Sequence, residues 1–284
     1  MNAQAVVLVP ALNAAATLPR QLAALDAQTE LDFRVVVCDN GSTDETAQLC
    51  ARWRPRFQSL GVIDASRRRG VAVARNEGIA GTDEELVLFC DADDAVHPTW
   101  FAALRRALAR ADGATGPLHL VFPDEPQDET WNEFDVPTSM GFRHYLPGCS
   151  AAWRRDVFDA IGVYDEDLSI GQEDVDLGWR AEAAGFSLVH APDAVIDYYQ
   201  RPGLRPLLRQ QFRYGRAHVQ LYAKHRRDAP APASYRASLR WFWEWLRQWP
   251  SALRTKRVRQ SLAQACFQVG RLSESLRLHT KAPL

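Results

Sequence analysis

Apolar residues come in short runs along the first half of the chain, and the segments between them carry helical spacing. Residues 5–9 form an apolar run ended by Pro10. From about 14 to 27, Leu18, Leu22 and Leu25 fall on one face, which predicts a helix. Residues 33–38 read as a second strand. Ser42-Thr43-Asp44-Glu45 then has the S-x-x-E spacing of a capping box, which predicts a helix from there to about Trp53. A strand at 59–63, a helix over 70–80, a strand at 86–90 and a helix from Pro98 to about 111 continue the alternation. This order predicts an α/β fold, a mostly parallel sheet with helices on both faces. Ligands of such sheets sit outside the carboxyl ends of the strands. Asp39 and the run Asp91-Ala92-Asp93-Asp94 fall there, so they are expected to line one crevice.

Beyond residue 111 the pattern loosens. Residues 118–122 read as a strand and 123–137, with prolines and acids, as a loop. Residues 145–153 pass through Pro147-Gly148-Cys149-Ser150. A helix begins near Arg155, and Gly171-Gln172-Glu173-Asp174-Val175-Asp176 opens another that runs to about 184. Residues 186–190 are a further strand candidate. An Ala/Pro alternation at 227–234 has the composition of a linker. The expected division is an α/β domain over 1–225 and a basic, Trp-rich helical extension over 226–284.

Charge sharpens that division. The chain of 284 residues has 34 basic and 35 acidic side chains, a net charge of −1. Residues 1–199 hold 16 basic and 32 acidic groups; residues 200–284 hold 18 and 3. Such asymmetry points to different partners for the two parts. With 46% hydrophobic and 24% charged residues the chain is an ordinary globular one. No apolar run approaches the roughly 20 residues of a membrane-spanning helix. Met1-Asn2-Ala3-Gln4 lacks the basic start of a signal peptide. Five widely spaced cysteines in no CxxC pair read as reduced thiols. The expected location is cytoplasmic.

Closely spaced carboxylates at a strand end suit a hard divalent cation shared with substrate phosphates. Asp91 and Asp93 fit that description, although a short acidic turn fits a solvated loop as well. Asp94 reads as structural. Asp176 is placed to pair with Arg180 one helical turn on.

The order of several motifs carries more than any one of them. Pro10-Ala11-Leu12-Asn13 follows strand one, and Asp39-Asn40-Gly41-Ser42 follows strand two. Ala74-Arg75-Asn76-Glu77-Gly78 lies in the third helix, and Asp91-Ala92-Asp93 follows strand four. Pro147-Gly148-Cys149, Arg154-Arg155 and Glu173-Asp174 complete the series. This order resembles the family 2 glycosyltransferases of GT-A fold, over roughly residues 5–225. The resemblance implies inverting, non-processive transfer of a sugar from a nucleotide diphosphate sugar to an acceptor hydroxyl, with Mg²⁺ or Mn²⁺. It implies that Asp39 recognises the base, usually uracil, with Pro10 and Asn13 beside the nucleotide. Asp91 would approach the ribose or the metal shell, and Asp93 would bind the metal. Arg75 would lie near the nucleotide or tie helix to sheet. Asp174, with Glu173 in reserve, would take the acceptor proton. The acceptor would be a glycan, lipid-linked or other hydroxyl compound. The family's third metal ligand has no clear counterpart, because His190 is the nearest histidine and Asp197-Tyr198-Tyr199 occupies the usual neighbourhood. Gln210-Gln211-Phe212-Arg213-Tyr214 loosely resembles the Q-x-x-R-W element of processive members.

In the tail, Trp241, Phe242, Trp245, Leu246, Trp249 and Leu253 recur at helical spacing among arginines over 240–259. Such a stripe lies on an anionic membrane surface, packs on the catalytic domain, or meets a second copy of the chain. A nucleic-acid partner is not expected, since no recognition motif accompanies the basic residues. A nucleotidyltransferase would need a Gly-rich loop after strand one, and residues 10–17 hold no glycine. An inactive sugar-nucleotide binder is the remaining alternative.

Overall fold

The computed structural model describes residues 5–122, 129–200, 203–229, 240–247 and 258–280. Two compact units emerge. The first comprises Met1–Ser139, Arg143–Ser169 and Glu173–Gln200; the second comprises Met140–Phe142, Ile170–Gln172 and Arg201–Leu284.

In the first unit the chain runs β1 (Ala5–Ala11), α1 (Leu18–Asp26), β2 (Arg34–Asp39), α2 (Thr46–Trp53), β3 (Leu60–Asp64), α3 (Val71–Ala80) and β4 (Leu86–Cys90). It continues through β5 (Ala95–Val96), α4 (Trp100–Leu108), β6 (Gly113–Thr115), β7 (Leu118–Val121) and β8 (Glu129–Trp131). Then follow β9 (Ser150–Arg154), α5 (Arg155–Ile161), α6 (Glu173–Ala183), β10 (Leu188–His190) and β11 (Ile196–Tyr199). Seven strands form the main sheet in the order β10-β6-β9-β4-β1-β2-β3. β1 to β4 are mutually parallel where they pair, and β9 runs antiparallel between β4 and β6.

Alternating side chains of the central strands feed two apolar layers. Val7, Val9, Val35, Val37 and Leu88 pack with Leu18, Leu22 and Leu25 of α1 and with Phe101 and Leu104 of α4. Val6, Leu8, Val36, Val87 and Phe89 face Ala72, Ala74 and Ile79 of α3 and Leu177 of α6. Burial on both faces explains why these strands read as continuous apolar runs. Gly78 lets α3 press onto the sheet, since a Cβ there would stand 2.6 Å from Cys38 Sγ.

A second, four-stranded sheet has the order β5-β11-β7-β8. It was not expected, and β8 falls inside the segment read as a loop; residues 123–128 of that loop lie outside the described residues. All five cysteines are free.

The second unit contains α7 (Leu204–His225), α8 (residues 240–247) and α9 (Val258–Arg277). α7 and α9 pack backbone to backbone. A Cβ on Gly215 would meet the Phe267 carbonyl oxygen at 1.9 Å, and one on Gly270 would meet that of Phe212 at 2.1 Å. Glu274, buried in α9, accepts from Arg216 Nε at 2.8 Å and Gln220 Nε2 at 2.7 Å, and also from Arg277. Burial alone would raise its carboxyl pKa; these donors outweigh burial and hold it low.

In α8, Trp245 stacks with Trp241 and Phe242 and donates to the Ser261 carbonyl at 3.0 Å. Part of the tail stripe is thus spent inside the unit. Phe242 and Trp243 remain 47% and 66% exposed. Trp249, Leu253 and the basic residues at 254, 256 and 257 lie outside the described residues. Gln210 donates to Tyr214 Oη at 2.9 Å, and Arg213 points to solvent. Among the described residues no helix is long and apolar enough to cross a membrane.

Candidate functional site

The carboxyl ends of β1, β2 and β4 lie side by side, because β1 sits between the other two. Ala11 is in register with Asp39, and Pro10 with Cys38. The loops that follow are latched together. Asn13, at φ 51°, donates its N–H to Ser42 Oγ at 2.9 Å, and its Oδ1 accepts the Thr43 N–H at 2.8 Å. Asp39 Oδ1 accepts the Ser42 N–H at 2.9 Å. Asn40 braces the same rim, donating to the Ala65 and Arg68 carbonyls and accepting from the Gly70 N–H.

One expectation is corrected here. α2 starts at Thr46, later than the Ser42–Glu45 box predicts, and no such box is formed. The Ser42 hydroxyl is occupied by Asn13. Asp44, one residue before the N-cap Glu45, joins the helix start to the first loop, accepting the Thr46 N–H at 3.0 Å through Oδ1 and the Ala15 N–H at 3.0 Å through Oδ2.

Beyond β4, Asp91, Asp93 and Asp94 each bring a carboxylate oxygen to within 4.8 Å of the others. Asp94 is buried and accepts the Tyr199 N–H at 3.0 Å, while its Oδ2 meets no donor among the described residues. Burial, reinforced by the charges of Asp91 and Asp93, pushes its carboxyl up to about 9. This excess of negative charge around an unmatched oxygen is what a divalent cation would relieve, so the residues fit Mg²⁺ or Mn²⁺. Arg20, which the sequence did not single out, steadies the loop. It donates to the Asp93 carbonyl and stacks on the Tyr199 ring at 3.5 Å.

Arg75 connects the acidic loop to the Glu-Asp pair. Its guanidinium is buried and donates to Asp91 Oδ1 at 3.2 Å and to Glu173 Oε1 at 2.8 Å, with the Tyr164 ring 5.3 Å away. Burial alone would lower its pKa; the charges of Asp91 and Glu173 outweigh this and keep it protonated. Glu173 and Asp174 start α6. Burial, then the charge of Asp174, pushes Glu173 up to about 7 against the pull of Arg75. Burial also raises Asp174, opposed by Arg75 and by N–H bonds from Gly148 and Val175, at 3.0 and 2.8 Å. Asp176 pairs with Arg180 at 2.8 Å, as the i,i+4 spacing predicts.

Gly148 matters for what it lacks. A Cβ there would lie 2.4 Å from an Arg75 nitrogen. His190 is elsewhere, its ring against the Asn132 carbonyl at 2.9 Å. The third carboxylate beside Asp91 and Asp93 is that of Asp94, while β11 supplies a backbone N–H.

Residues 6–162 match the profile of Glycosyl transferase family 2, and residues 86–268 that of Glycosyl transferase family group 2. The chain is 26% identical over 229 residues to Glycosyltransferase AglE of Haloferax volcanii, covering 76% of this chain and 73% of that protein. It is 27% identical over 238 residues to the Succinoglycan biosynthesis protein ExoA of Rhizobium meliloti, covering 79% and 72%. Among solved structures, the mannosyltransferase PcManGT from Pyrobaculum calidifontis, in complex with GDP-Man and Mn²⁺, superposes with a TM-score of 0.70. The identity is 19%, over 95% of this chain and 86% of that one. S. aureus TarS 1-349 in complex with UDP-GlcNAc gives 0.57 at 18% identity, over 97% and 92%. A GT-A sheet, an acidic loop after its fourth strand and a family profile over more than half the sequence agree: the chain belongs to glycosyltransferase family 2.

Proposed function

We propose that the protein transfers a sugar, with inversion, from a nucleotide diphosphate sugar to an acceptor hydroxyl in glycan assembly. The observation that carries this reading is the buried Asp91–Arg75–Glu173 chain of ion pairs. It fixes the phosphate-side carboxylates and the acid pair as one rigid unit, which in-line displacement demands.

Asp91 and Asp93 hold the divalent cation, which when bound stabilises the negative charge of the leaving diphosphate. Asp39, with Pro10 and Asn13, receives the nucleoside. PcManGT was solved with GDP-Man and TarS with UDP-GlcNAc, so the fold accepts either base. Asp39 favours uridine here. Asp174 removes the acceptor proton as that oxygen bonds to the anomeric carbon and the bond to the diphosphate breaks. Its two N–H bonds favour the ionised form that a base needs, whereas Glu173 is engaged by Arg75. Arg75 is a positioning residue. The exposed Phe242 and Trp243 of α8, with the surrounding arginines, suit a protein that works at a membrane surface on a lipid-linked acceptor.

Asp174→Asn is expected to keep donor binding, read by thermal stabilisation with UDP-sugars, and to lose transfer by roughly a hundred- to ten-thousandfold. Transfer at the wild-type rate would remove Asp174 from the role. Asp93→Ala is expected to abolish cation-dependent release of the nucleotide diphosphate.

A further inference from the structure

A second constellation lies outside these residues, on the small sheet. Asp197 of β11 is in register with His119 of β7 on one side and with Ala95 of β5 on the other. His97 follows β5, its N–H bonded to the Val195 carbonyl at 2.9 Å. His97 Nε2 lies 2.9 Å, and His119 Nδ1 2.7 Å, from the same oxygen of Asp197. The three donor atoms all fall within 4.8 Å of one another. Among the described residues Asp197 pairs with no Lys or Arg; its ion-pair partners are the two imidazoles.

We propose that His97, His119 and Asp197 form a second cation site, for a borderline divalent ion of the Zn²⁺ type. Two ring nitrogens and one carboxylate are the donor set of an open zinc site, in which water takes the fourth place. Bonds of about 2.0–2.2 Å in tetrahedral geometry require donors roughly 3.3–3.5 Å apart. The two edges at 2.9 and 2.7 Å would each have to widen by roughly 0.4–0.8 Å, within the reach of side-chain rotation. Both histidines are partly exposed, so the ion and its water have a way in. The site differs in kind from the Asp91–Asp93 loop. All-carboxylate oxygens favour Mg²⁺ and Mn²⁺, whereas imidazole favours Zn²⁺. Binding requires each ring to carry its proton on the nitrogen that faces away from Asp197.

The consequence is mechanical. The ion ties β5, β7 and β11 together, and β11 is the strand whose Tyr199 N–H holds Asp94. Occupancy would therefore stiffen the loop that carries the phosphate-side carboxylates without touching the substrate.

The test uses the full chain after chelation and dialysis. Zn²⁺ titrated calorimetrically is expected to bind wild type and the Asp91→Asn/Asp93→Asn double variant with the same affinity. His97→Gln and His119→Gln should each weaken it by about tenfold or more. Co²⁺ added to wild type should give visible absorption bands of a four-coordinate ion, a readout that requires no variant to fold. No Zn²⁺ binding, no such Co²⁺ bands, or Zn²⁺ binding lost only in the Asp91/Asp93 variant would each overturn the site. None of these readouts depends on transfer activity, so the site and the proposed chemistry fail separately.

Discussion

The two units keep their buried charge by opposite means. In the first, an apolar sheet is built from alternating valines and leucines, and buried ions stand beyond the carboxyl end of its central strand β4, where Arg75 is shared between Asp91 and Glu173. In the second, two helices touch through Gly215 and Gly270, and the buried acid Glu274 lies within their seam, surrounded by donors. Glu274 is fully matched and its carboxyl is held low. Glu173 and Asp94 are incompletely matched, and their carboxyls are pushed up. A buried charge that is fully satisfied organises a fold. Charges left partly unsatisfied in a crevice mark where a ligand has to finish the pairing.

The largest test of this contrast is Arg75→Met. It strands Glu173 and Asp91 without their counter-ion, and should destabilise the first unit by about 3–5 kcal/mol in denaturant unfolding. A loss below 1 kcal/mol would mean that the ion chain is dispensable. Next comes Gly270→Ala, whose methyl would run into the Phe212 backbone. A cost of about 1–3 kcal/mol is expected, seen as early proteolysis within α7 and α9 while donor binding persists. Replacing Trp243, 66% exposed, by serine should weaken sedimentation with anionic vesicles by about threefold or more, with melting unchanged. Equal binding would assign that face to something other than lipid.

The smallest effect is a matter of sign. Glu173 has a folded pKa of about 7 against an ordinary 4.5, so the folded state binds the proton more tightly. Its contribution is complete below about 4.5 and is lost as pH rises through about 7. Glu173→Gln should therefore gain on wild type in melting temperature between pH 5 and pH 8. An unchanged difference would indicate that Glu173 is ionised throughout.

The strands β1, β2 and β4 were legible because each is buried on both faces, so its sequence is a bare apolar run; β3, a partly exposed edge strand, was legible from its place in the alternation. β9 was not, since Ser150, Ala151 and Ala152 are small residues with no run to announce them. The second sheet hid for another reason: β5 has two residues and β8 is exposed, which leaves neither a pattern. The motif order brought Asp39, Asp91, Asp93, Glu173 and Asp174 into view as site candidates. What it could not reveal was Arg20, whose only signal is a contact with a loop 73 residues away, or the meeting of His97, His119 and Asp197, which only the strand order produces. The Ser42 box misled because local spacing cannot anticipate a competitor from another loop, here the Asn13 N–H.

Gly148 links these themes. Its N–H steadies Asp174, and its missing side chain leaves room for Arg75. In a saturation library selected for transfer, position 148 should tolerate no substitution, alanine included, although it contributes no functional group. The nearby acids, by contrast, should admit occasional conservative exchange. The least permissive position in the site would then be one that carries no side chain.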